Sequence, residues 1–98
     1  MPRYLIERRF DVPEADMQDV GRRSREIVEE SFPEITWEYS HVTVDGTGAV
    51  KTFCVYGAPT EDMVREHAKQ LGFHEILALY ELAGEITPAD FPPLDDSL

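Results

Sequence analysis

Two hydrophobic periods alternate along this chain. Residues 3 to 10, RYLIERRF, set Tyr4, Ile6, Arg8 and Phe10 in alternation with Leu5, Glu7 and Arg9, the period of two that a half-buried strand requires. This predicts strand β1 over 3–10. Further on, Met17, Val20, Ser24, Ile27, Val28 and Ser31 recur at helical spacing. Pro13 suits a first helical turn, and Glu14 and Asp16 put negative charge at the positive end of the dipole. Helix α1 is expected over 14–31, and Pro33 prevents its continuation.

Residues 35–45 and 50–57 are extended runs separated by DGTG, whose glycines accept positive φ; they predict a hairpin of β2 and β3. Thr60 is the expected N-cap of α2 over 61–71. Met63, Val64, His67, Ala68 and Leu71 make its apolar stripe, and Gly72 supplies the left-handed stop. Residues 75–82, EILALYEL, complete the set as β4. The order βαββαβ with right-handed crossovers predicts an α+β fold, the ferredoxin-like plait, with a four-stranded antiparallel sheet and both helices on one face.

Strand parity assigns the faces. Pairing Val44 with Ala49 places Val42, Val44, Phe53 and Val55 on the helix-covered side, and Trp37, Tyr39, His41, Thr52, Cys54 and Tyr56 on the open side. A face with a tryptophan and two tyrosines calls for a cover that no third helix provides. The expectation is a homodimer whose stacked sheets form a dimeric α+β barrel. Its cavity would be lined by Glu7, Arg9, Trp37, Tyr39, Cys54 and Tyr56.

Composition narrows the partners. A formal net charge of -11 repels nucleic-acid phosphates and anionic lipid head groups, so neither nucleic acid nor membrane is expected. Hydrophobic residues at 42% and charged residues at 30% fit an ordered soluble domain. The single cysteine, Cys54, excludes an internal disulfide; with no apolar run of spanning length and no signal-peptide core, a cytoplasmic location is expected. Residues 1–82 form the expected domain. Residues 83–98, ending GEITPADFPPLDDSL, are an acidic, proline-containing tail.

MPRYLIERRF, the TW of residues 36 and 37, Ser40, KTFCVYGAP and EDMVREHAKQLGF together resemble a bacterial family of small ferredoxin-like proteins catalogued as a domain of unknown function. Its best described member is a dimeric nickel-binding, nickel-responsive protein. The resemblance covers residues 1 to 82 and implies divalent-metal binding, possibly of nickel, rather than catalysis. Family members often read W-x-H-S-Y, whereas this chain has Trp37, Glu38, Tyr39, Ser40 and His41, so histidine and tyrosine have exchanged places. His67 falls at a helix position where the family often has histidine.

Imidazole suits nickel, copper and zinc. The possible donors are His41, Cys54, His67 and His74 with Glu7, Glu66 and Glu75, at none of the tight spacings that define a site from sequence alone. His41 and His67 are the metal candidates. His67 also fits a core histidine, and Cys54 a small buried hydrophobe. Two alternatives stay open at this stage: a cofactor-independent small-molecule enzyme or ligand-binding protein using the barrel cavity, and an interaction module without ligand.

Overall fold

In the computed structural model, which describes residues 1–94, the period-two segments become β1 (Arg3–Phe10), β2 (Thr36–Val44), β3 (Val50–Gly57) and β4 (His74–Glu81). They form one antiparallel sheet in the order β2-β3-β1-β4. Helices α1 (Met17–Ser31) and α2 (Glu61–Leu71) cover one face, giving the ferredoxin-like plait. Pro13 is extended, with ψ 157, and Glu14–Asp16 make a separate 3-10 turn, so α1 begins at Met17 rather than at 14.

The helix ends follow local chemistry. Thr60 Oγ1 accepts from the Met63 amide at 3.3 Å and caps α2. Gly72 at φ 70 and Phe73 at φ 57 are both left-handed, and these two residues turn the chain from α2 directly into β4. The amide of Asp11 donates to the Phe73 carbonyl at 3.0 Å, tying this turn to the end of β1.

The core lies between the sheet and the two helices. Ile6, Cys54 and Tyr56 meet Val64 and Ala68 of α2, while Phe10 and Val50 meet Ile27 of α1 and Leu71 of α2. Ile6 and Val64 are fully enclosed. Beyond β4, the Leu82 amide donates to the Arg3 carbonyl at 2.8 Å, and Glu85 pairs with the Arg3 guanidinium at 2.6 Å. Positions 95–98 of the acidic tail lie outside the described residues.

The faces differ from the sequence expectation in two places. Val44 pairs with Val50, one residue beyond Ala49. Asp45 Oδ1 accepts from Thr47 N, Thr47 Oγ1 and Ala49 N at 2.8, 2.6 and 3.1 Å, which makes the connection five residues long. One residue of register reverses parity. Val50, Thr52, Cys54 and Tyr56 therefore face the helices, while Lys51, Phe53 and Val55 face outward. The second difference is a bulge between Trp37 and Tyr39, with Glu38 as the extra residue. It turns Trp37 toward the helices and leaves Tyr39 and His41 on the open face.

Thr60→Ala is expected to lower the unfolding free energy by about 1 kcal/mol, because α2 loses its side-chain cap. Urea denaturation monitored by circular dichroism measures the loss. An unchanged midpoint would contradict it.

Candidate functional site

The open face is organised in cross-strand rows. Tyr39, Val55, Leu5 and Tyr80 form an apolar row; His41, Phe53, Glu7 and Ala78 form the next; Thr43, Lys51, Arg9 and Glu75 form a charged one. Lys51 pairs with Glu7 at 3.3 Å and Arg9 with Glu75 at 2.7 Å. Polarity thus rises steadily along the strands. Tyr39 and Tyr80 are 46% and 60% exposed, and the His41 ring stands edge-on to Tyr39 with centroids 5.3 Å apart.

Of the residues expected to line a common cavity, Glu7, Arg9 and Tyr39 share this open face with His41. Trp37, Cys54 and Tyr56 lie on the other side of the sheet. His67 lies there too, 1% exposed, its Nε2 3.2 Å from Ser24 Oγ and 3.3 Å from the Ser24 carbonyl. His41 and His67 therefore sit on opposite faces and cannot meet at one ion within a protomer. Among the described residues there is no group of three or more His, Cys, Asp or Glu side chains placed to hold a metal.

The helix side contains a polar cluster centred on Arg8, which is 3% exposed. Its parity with Tyr4, Ile6 and Phe10 was visible in the sequence, but a charged residue on that side is easily taken for an edge position. Arg8 Nη2 donates to Cys54 Sγ at 3.0 Å and to Tyr56 Oη at 3.1 Å. The guanidinium carbon lies 5.4 Å from the Phe10 ring centroid and 5.7 Å from that of Tyr56, within cation–π range. Burial raises the Tyr56 phenol above its ordinary pKa, with the Arg8 charge pulling the other way, so Tyr56 gives Arg8 a neutral oxygen and no counter-charge.

Beside Arg8 a cavity of about 450 Å³ opens between α1 and strands β2 and β3. Trp37 forms part of its wall. The indole Nε1 donates to Ser40 Oγ at 2.9 Å, and its far edge reaches α1 at Gly21, where an added Cβ would lie 3.9 Å from Cη2.

The sequence profile of the family described as nickel responsive protein, SCO4226-like, matches residues 4–75. This span is well over half of the chain, and the chain belongs to that family. No curated protein and no solved structure matches it. No helix among the described residues is long and apolar enough to cross a membrane.

Burial, outweighing a hydrogen bond to the Ser24 carbonyl, lowers the pKa of His67, and the charges of Arg8 and His74 act in the same direction. An imidazole depressed in the folded state stays neutral while the unfolded chain takes up a proton, so this contribution is complete above about pH 6.5 and is lost as pH falls toward the folded value. His67→Gln removes that proton uptake. Its unfolding free energy should decline less than that of the native chain between about pH 7 and about pH 5 in urea titrations at each pH. Parallel declines would show that His67 does not titrate on unfolding.

Proposed function

We propose that this member of the nickel responsive family is a cytoplasmic homodimer that binds a divalent metal ion, nickel by the family's description, between paired open sheet faces. The observation that carries the reading is the open face itself. It joins an apolar row of two exposed tyrosines, Leu5 and Val55 to a single exposed imidazole, His41, in the adjacent row.

The apolar row supports the dimer. Residues 1–82 would be the paired unit and 83–98 its acidic appendage. Val55 is itself enclosed, and a sheet that leaves Tyr39 and Tyr80 to water gains by stacking them on a second copy.

The donor chemistry supports sharing of the ion. Neutral imidazole is a suitable nickel ligand. Glu7 lies in the same row as His41 but two strands away, roughly 10 Å at strand spacing, and its carboxylate is engaged by Lys51. One protomer thus brings a single imidazole to any one point. A twofold pairing of open faces supplies a second His41, and the ion would then bind the dimer in preference to the separate chains.

Two measurements test this reading. Light scattering on the eluting protein should give twice the chain mass of 11.2 kDa, falling to a single mass in Tyr80→Glu. In metal-stripped protein, nickel at about 100 times its Kd should add about 2.7 kcal/mol of stability, seen as a rise in melting temperature that His41→Ala abolishes and His67→Gln retains. A monomeric native chain, or a rise undiminished in His41→Ala, would overturn the proposal.

A further inference from the structure

The cavity beside Arg8 is on the opposite side of the sheet from the open face, and nothing in the metal reading uses it. Three buried side-chain atoms have no hydrogen-bond partner among the described residues: Arg8 Nε, Arg8 Nη1 and Thr52 Oγ1. Arg8 and Thr52 are direct cross-strand partners, and both line this cavity. Unpaired donors of two adjacent residues thus border one space. A buried guanidinium keeps its proton, and leaving its charge without an opposite charge in a low-dielectric setting is costly.

No carboxylate among the described residues answers it. Arg8 makes its two polar contacts through Nη2, to a thiol and a phenol. On the adjoining helix, Asp19 is engaged by Arg22 at 2.8 Å and Glu29 by Arg25 at 3.0 Å. Arg22 and Arg25 also stand in the cavity lining. In a chain of net charge -11 with only nine lysines and arginines, three arginines border this one space. Arg22 and Arg25 are each paired with a carboxylate, so the uncompensated charge of Arg8 is what favours an anion where the molecule as a whole repels one.

The rest of the wall identifies the kind of anion. Met17, Val20, Trp37 and Val42 present apolar surface beside the polar end formed by Arg8 and Thr52. We propose that the cavity binds a small organic monocarboxylate, its carboxylate accepting from a free N–H of Arg8 and from the Thr52 hydroxyl, its aromatic or aliphatic body lying against Trp37 and α1. One negative charge neutralises the one buried positive charge, and a bond from a guanidinium N–H to a carboxylate is charge-assisted. The volume of about 450 Å³ falls within the range of small-molecule sites.

Trp37 is the chain's only tryptophan and lines this cavity, so its fluorescence reports on binding there. Benzoate and hexanoate, titrated in the presence of a chelator to separate this site from metal binding, should each change Trp37 emission saturably and raise the melting temperature. Benzamide, which keeps the ring and lacks the charge, should do neither. Arg8→Met should weaken benzoate binding by roughly tenfold or more, and Thr52→Val by a smaller factor. The proposal is overturned if neither carboxylate gives a saturable change, if benzamide binds as well as benzoate, if inorganic phosphate binds in preference, or if Arg8→Met retains native affinity. Should Arg8→Met fail to fold, Thr52→Val decides: weaker benzoate binding supports the site, and unchanged binding overturns it.

Discussion

Asp45 holds the connection between β2 and β3 by drawing three donors onto one carboxylate oxygen, and those bonds hold its pKa below the ordinary carboxylate value. The result is the pairing of Val44 with Val50. Because strand side chains alternate, that single choice of register decides which half of β3 is core. It brings Thr52, Cys54 and Tyr56 under the helices, where Arg8 meets them, and sends Phe53 and Val55 outward beside Tyr39 and His41. Both chemical faces of the sheet depend on it.

The two faces then hold different physics. On the helix side, Ser24, Thr52, Tyr56, His67 and Arg8 are polar groups buried among apolar ones, and each must find a partner or lose stability. His67 finds Ser24, whereas Arg8 is satisfied only at Nη2. A chain of 98 residues has little stability to spare for such an arrangement, which is the physical ground for reading the Arg8 cavity as functional. Among the described residues, no polar side chain of the open side is buried without a partner. Its ion pairs are exposed and weak, and what stands out is apolar surface graded along the strands.

Local periodicity carried most of the fold. The helix stripe from Met63 to Leu71, the Thr60 cap and the Gly72 stop are all short-range signals, and α2 forms over the expected residues. The face assignment was not legible in the same way. Glu38 looks like any polar strand residue, yet it is the extra residue of a bulge and receives a bidentate bond from Arg3, 35 positions away in the sequence, at 2.7 and 2.8 Å. That long-range pair has no local signature, so Trp37 was assigned to the wrong side. Arg8 shares the parity of Tyr4, Ile6 and Phe10, and only the three-dimensional packing shows that its charge is enclosed.

The two outer strands of the sheet share a feature with a consequence for assembly. β2 is irregular at Glu38, and β4 is irregular where Glu7 pairs with Ala78 and Arg8 with Ile76, leaving Leu77 out of register. An edge strand ordinarily offers its free amides and carbonyls to any passing strand, and a bulge breaks the regular ladder such pairing needs. With both borders interrupted in this way, extension of the sheet from chain to chain is disfavoured. Growth into open fibrils is discouraged at both borders, and at β2 by the same bulge that aims Trp37 inward.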